Sequence, residues 1–262
     1  MSFEQLLHVS KIGQPGRGYF DLVWDWKAKR DCLAIYLRDL PTLQRECRDA
    51  HAAPYENNPR IMIIDAVPSL RLASACEAAA NCLYGMAEIA AQFGNQASEG
   101  FFPASFNALR RRIDQGAYST LSLPAALIDP QWYRKVRELR TEWTHFSTIF
   151  VGRDGPEPVI VVRCRRRPSD RQEFQDKIQI RPTELIEWIE KAITAIDSYG
   201  NHLLRDWIIP RLDLTTVIRA SRLDSQGWPI ITEDHRFEIE HITTAEYLAR
   251  CGIRVIRTGG RG

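Results

Sequence analysis

The stretch PTELIEWIEKAITAIDSYGNHLLRDWIIP, residues 182–210, decides the fold class. Leu185, Ile189, Ala192, Ile196, Tyr199, Leu203 and Trp207 recur at spacings of three and four, which lines one face of an α-helix over about six turns. Pro182 suits a first helical turn, where its missing N–H has no intrahelical partner to lose, and Pro210 ends the run. A helix this long with one apolar face has to be covered by other helices.

The sequence upstream supplies them. Residues 129–147 carry Trp132, Val136, Leu139, Trp143 and Phe146 on a second apolar stripe. A third helix starts near Pro68 and sets Leu72, Cys76, Ala80, Leu83, Ala87 and Ala90 at the same spacings; its alanines let a neighbour approach closely, and Gly94-Asn95 is expected to stop it. A shorter helical piece over residues 103–115 holds Arg110, Arg111 and Arg112. Residues 30–50 read as a helix interrupted near Pro41, followed by a turn at Asn57-Asn58-Pro59. The segment from Gly13 to Gly18 reads as a loop, and its glycines follow no strand, so it makes a poor phosphate cradle.

Strands are expected in two places. Val159-Ile160-Val161-Val162 is β-branched and too short for a helix, and Ile178 and Ile180 alternate with polar residues in a partner strand. Asp154-Gly155 marks a turn before them, and residues 167–175 form the loop between. The last part of the chain reads as strands at 229–232 and 236–240, a helix at 243–251 and a strand at 253–257. The expected architecture is mainly α: a helical bundle over residues 61–208 with an inserted β-hairpin near 158–181, an N-terminal extension with a helix over 1–60, and a small α+β C-terminal module over 209–262.

Composition narrows the class. The chain has 262 residues, 44% hydrophobic and 26% charged, which suits one large domain or a core with flanking modules rather than a disordered chain. Net charge is only +2, so the total alone points to no polyanion, and the distribution of charge matters more. No apolar run is long enough for a bilayer, and Met1-Ser2-Phe3-Glu4-Gln5 does not open a signal peptide. None of the six cysteines (Cys32, Cys47, Cys76, Cys82, Cys164 and Cys251) forms a Cys-x-x-Cys pair, which fits buried thiols in a reducing, cytoplasmic setting.

Chemistry concentrates in Val136-Arg137-Glu138-Leu139-Arg140-Thr141-Glu142-Trp143-Thr144-His145-Phe146. Moving a proton beside a phosphate group needs a base and a cation. A histidine titrates near neutral pH and serves the first need. An arginine stays charged and forks onto phosphate oxygens. On an ideal helix Arg140 and His145 lie about 140° apart, so one protomer struggles to aim both at one phosphate. Two protomers packed about this helix would supply two such pairs to a shared cleft.

Arg140, four residues and then His145 resembles the Arg-x4–6-His motif of the HEPN superfamily, the higher eukaryotes and prokaryotes nucleotide-binding domains. The resemblance covers roughly residues 60–208 and implies a HEPN-like helical bundle, a homodimer and a metal-independent endoribonuclease without cofactor, of a kind that serves as a toxin or in phage defence. It casts His145 as general base or acid, Arg140 as phosphate stabiliser, and Thr141 or Glu142 as positioner. Where active members commonly carry Asn, Asp or His after the arginine, this chain has Thr141. Arg45 with His51 and Arg236 with His241 match the same short spacing, without so strong an amphipathic helix around them.

Basic residues add to the picture. Arg163, Arg165, Arg166 and Arg167 load the hairpin, and Arg137 lies beside the motif; a basic hairpin can track an RNA backbone, or its charge can protect an edge strand. Glu238, Glu240 and His241 lack dedicated metal-ligand spacing, so no metal is expected. The alternative to the nuclease is a non-catalytic HEPN-like module that binds RNA, a nucleotide, an antitoxin or another protein through the same helix; a purely structural role stands third.

Overall fold

The computed structural model describes residues 17–50, 67–121, 123–128, 131–145, 147–154, 157–164, 175–226 and 228–253. It is mainly helical. In chain order come α1 (Arg17–Ala50), α2 (Val67–Ala97), α3 (Phe106–Asp114), the single turn α4 (Ala125–Ile128), α5 (Gln131–His145), β1 (Ser147–Asp154), β2 (Glu157–Cys164), β3 (Gln175–Ile180), α6 (Pro182–Leu203), β4 (Val217–Ser221), β5 (Ile239–Thr243) and α7 (Thr244–Arg250).

Helix α2 is the hub, packed by α1, α3, α5, α6 and β1. Its sequence explains why. Ala79, Ala80, Ala87, Ala90 and Ala91 are fully buried, so backbones approach it from several sides, while Leu72, Leu83, Met86 and Phe93 fill the gaps. Helix α1 lays Leu22, Trp26, Leu33, Leu40, Leu43 and Cys47 on it, residues that recur at helical spacing along one stripe. One apolar core runs from Leu22 in α1 to Leu248 in α7.

Two expected breaks are absent. Helix α1 runs unbroken through Pro41 and already includes Arg17 and Gly18. Proline inside a helix costs about 3 kcal/mol through its lost hydrogen bond and its ring. Pro41 is solvent-exposed, whereas Leu40 and Leu43 beside it are buried, and burial of that face offsets the penalty. Helix α2 likewise passes Gly94 and ends at Ala97, with Glu99 and Gly100 taking the positive φ of the exit turn. Gly94 serves packing: a Cβ there would overlap Tyr199 Oη on α6 and lie 2.9 Å from its Cζ. Among the described residues Tyr199 Oη is buried without a hydrogen-bond partner, and burial pushes its phenol pKa up.

The hairpin is a three-stranded antiparallel sheet, β1-β2-β3. β1, which the sequence did not disclose, follows α5 and pairs with β2 from Ser147↔Cys164 to Asp154↔Glu157. β2 pairs with β3 through Ile160↔Ile180 and Val162↔Ile178, with a bulge at Val162/Arg163. Val151, Ile160 and Ile180 seat the sheet on the bundle. Gly155 and most of residues 167–175 fall outside the described residues, as does the turn at residues 57–59.

Helix α6 widens into a π turn over Leu204–Ile208 and ends in a 3-10 turn at Ile209–Arg211 that contains Pro210. Phe101, Phe102, Tyr118, Tyr199 and Trp207 cluster there, with Phe102 and Trp207 rings 5.3 Å apart. The C-terminal module differs from expectation in its strands. Its ladder joins β4 to β5, with Ile218↔Ile242 and Ala220↔Glu240 in register, while 229–232 and 236–240 contribute the bridges Leu223↔Pro229 and Ile231↔Phe237 outside it. The expected helix is present, capped by Thr243, whose side chain and Glu246 exchange bonds with each other's backbone N–H. Residues 254–257 of the expected last strand lie outside the described residues.

His202 is buried on α6, with Nδ1 2.9 Å from Asp206 Oδ2 but without hydrogen-bond alignment. Burial lowers its pKa, against the pull of the Asp206 carboxylate. The unfolded chain therefore binds the proton more readily, so this contribution to stability is complete above the free-histidine value of about 6.5 and is lost as pH falls through the folded value.

Two outcomes follow for stability. Gly94→Ala costs about 2 kcal/mol in urea unfolding, and Tyr199→Phe, which removes the overlapping oxygen, recovers part of that loss in the double variant; additive losses contradict the close crossing. Between pH 7.5 and 5.5 the urea midpoint of the wild type falls, and His202→Gln flattens that fall; equal pH dependence in both proteins contradicts the assignment.

Candidate functional site

Helix α5 holds the motif. Trp132, Tyr133, Val136 and Leu139 are buried and fix its roll, while Arg134, Lys135 and Arg137 are exposed. Tyr133 was absent from the expected stripe. It packs on Phe106 at 4.5 Å and donates to Glu88 Oε1 at 3.3 Å, while Glu88 Oε2 accepts from the Phe106 backbone N–H. The Glu88 carboxylate on α2 thus ties α5 to α3. Desolvation, and then the neighbouring Glu88, raise the Tyr133 phenol pKa.

Arg140 is half-buried at the border of the apolar stripe. Its guanidinium carbon sits 4.4 Å from the centroid of the Tyr84 ring on α2. The cation lies over the face of the ring, a cation–π contact. A tyrosine on α2 therefore orients the arginine of α5. Lys135 makes a comparable contact, Nζ lying 4.2 Å over the Trp188 ring of α6. Neither aromatic partner was legible as a site residue, because nothing in local spacing links residue 84 to 140 or 188 to 135.

The backbones of Thr141, Glu142 and His145 complete α5, and their side chains lie outside the described residues. The same holds for the side chain of Arg163, whose backbone belongs to β2, and for the whole of Arg165, Arg166 and Arg167. Backbone register still brings two regions together. Ser147↔Cys164 and Thr148↔Arg163 are partners, so the Arg163 end of β2 runs alongside the segment that follows His145 directly. Arg110, counted among the basic helical residues, is instead structural: it is buried, donates to the Leu127 carbonyl at 3.0 Å and pairs with Asp114 at 2.6 Å.

Among the described residues no group of three or more His, Cys, Asp or Glu side chains can hold a metal ion. Glu238 pairs with Arg222 and Glu240 with Arg250, whose hydrogen bonds hold the Glu240 carboxyl below the usual range. No helix among the described residues is long and apolar enough to cross a membrane. Cys47, Cys76 and Cys82 are buried, and burial pushes the Cys76 thiol up to about 12, while Cys32 is exposed on α1. No family model, no curated protein and no solved structure matches this chain.

Truncating exposed Arg137 to alanine should change stability by less than about 0.5 kcal/mol. Arg140→Ala should cost about 1 kcal/mol, and less in a Tyr84→Leu background, because the two groups share one contact. Urea unfolding of the four proteins checks this, and strictly additive losses contradict the stack.

Proposed function

We propose that the chain is a metal-independent endoribonuclease of HEPN type that acts as a homodimer about α5. The observation that carries the reading is the aromatic seat of Arg140 on the motif helix, with a basic strand end paired alongside the segment after that helix. Arg140 is oriented by Tyr84, Arg137 is exposed on the same helix, and the β1–β2 register draws the Arg163 end of β2 to the segment after His145. The family resemblance of Arg140-x4-His145 supplies the reaction class.

In this reading the imidazole of His145 takes the proton of an RNA 2′-hydroxyl. The resulting oxygen attacks the adjacent phosphorus, and the bond to the 5′-oxygen breaks. The products are a 2′,3′-cyclic phosphate and a 5′-hydroxyl, the latter protonated by His145 of the partner subunit. Arg140 stabilises the additional negative charge at phosphorus through paired N–H donors. Thr141 or Glu142 positions these groups, and Arg137, Arg163, Arg165, Arg166 and Arg167 hold the flanking backbone. A toxin or phage-defence role is in keeping with such an activity.

A second reading keeps the binding and omits the chemistry. It is favoured by Thr141 in the place after the arginine and by the carboxylates of Glu138 and Glu142 in the same stretch, which repel a polyanion. RNA then docks on α5 without being cut.

Incubation of purified protein with RNA in excess chelator separates the two. Wild type is expected to leave cyclic-phosphate ends, and His145→Ala and Arg140→Ala each to lower the rate at least about a hundredfold. Binding without cleavage in wild type supports the second reading; cleavage that survives both substitutions sinks the first.

A further inference from the structure

A second basic site lies away from the motif, in a cleft of about 620 Å³ between α1, the start of β2 and the start of α6. Gln44, Arg45 and Arg48 fall at helical spacing on one face of α1, next to the face that buries Leu40, Leu43 and Cys47. Glu157 opens β2, and Arg181 and Thr183 flank Pro182 at the start of α6. Three guanidiniums thus surround one cavity that holds a single carboxylate. That carboxylate is already engaged: Gln44 Nε2 donates to Glu157 Oε2 at 2.9 Å, and Arg48 Nη1 lies 3.7 Å from Oε1, while Arg48 Nε also lies 3.6 Å from Asp49 Oδ1. Among the described residues Arg45 makes no ion pair. The helix terminus itself adds little, because the Glu184 carboxylate already accepts the Arg181 backbone N–H at 3.2 Å. The meeting of three arginines from two helices in the lining of one cleft carries the argument.

We propose that this cleft binds a phosphate group, with Arg45 and Arg181 as the principal ligands, Arg48 braced by Glu157 as the third, and the Thr183 hydroxyl as a further donor. Guanidiniums match phosphate oxygens with paired, planar N–H donors, and a phosphate anion complements a lining of three arginines and one carboxylate. The volume is in the range of small-molecule sites and admits more than one phosphate. The guanidiniums are solvent-exposed, so binding is of moderate strength and strongly dependent on salt. The same chemistry is offered by free phosphates and by the backbone of RNA. The inference uses no residue of α5 and stands whether or not the chain cleaves RNA.

The test is calorimetric titration of the full-length protein, in phosphate-free buffer at low and moderate salt, with inorganic phosphate, pyrophosphate and a short single-stranded oligoribonucleotide. His145→Ala, used throughout, prevents cleavage. In that background Arg45→Gln with Arg181→Gln is expected to weaken binding at least tenfold, and Arg45→Gln alone to weaken it by less; circular dichroism checks that each variant is folded. Weakening confined to the oligoribonucleotide, with a salt slope shallower by about 1 or more, assigns the cleft to RNA backbone. Weakening of pyrophosphate as well assigns it to free phosphates. Failure of the parent protein to bind any of the three probes at low salt overturns the proposal, as does binding within twofold of the parent in a folded double variant. Cleavage assays on the same substitutions with His145 restored report on α5 separately.

Discussion

Between Gly94 on α2 and Tyr199 on α6 there is no room for a methyl group, and that closeness sets the position of everything packed around α2. Interiors this dense do not deform smoothly; a shift of one helix has to be taken up by its neighbours. Because α2 presents mainly alanine where helices cross, α1, α5 and α6 all reach it, and the large side chains of those neighbours fill the space that alanine leaves. The same hub explains why Pro41 does not break α1: once Leu40 and Leu43 are buried against α2, straight continuation is less costly than exposing them.

The functional reading depends on this packing in a specific way. Tyr84 is on α2, so the helix that organises the core also orients Arg140. Glu88, one turn further along, joins α5 to α3 through Tyr133 and the Phe106 backbone. The roll of α5 is therefore fixed from below, and Arg134, Lys135 and Arg137 are presented outward as a consequence rather than by local preference. The three-stranded sheet extends that surface, since β1 leaves α5 directly and aligns with β2. The Arg45–Arg181 cleft arises where α1 crosses the start of α6, at the opposite end of β2 from Arg163.

Long periodic segments were legible in the sequence because burial repeats with the helix. The stripes of α2, α5 and α6 lie where their spacing put them, apart from Trp143 and Phe146, whose side chains are outside the described residues. Errors came where one residue type serves two purposes. Gly94 reads as a helix stop, but its lack of a Cβ is used for a helix crossing. Pro41 reads as a break, but it sits on the exposed face of a well-buried helix. Only Ser147 of Ser147–Asp154 falls inside the expected helix and the rest of that strand is given no element, and β4 goes unnoticed, because short apolar runs carry no period of their own and are defined by their partners. At the candidate site the motif was visible and its aromatic support was not, since Tyr84 and Trp188 reach it only through tertiary packing.

The central claim is that an arginine from one subunit and a histidine from the other act on one phosphodiester, and active-site complementation addresses it most directly. Arg140→Ala and His145→Ala proteins, each inactive alone, are unfolded together, refolded as a mixture and assayed on RNA in chelator. Subunit exchange creates dimers with one Arg140 and one His145 on opposite subunits, so the account predicts cleavage above that of either variant by itself and below that of wild type, because the second imidazole is missing from the hybrid. A mixture as inactive as its parts, under conditions where wild type cuts and hybrid dimers are demonstrably formed, contradicts it.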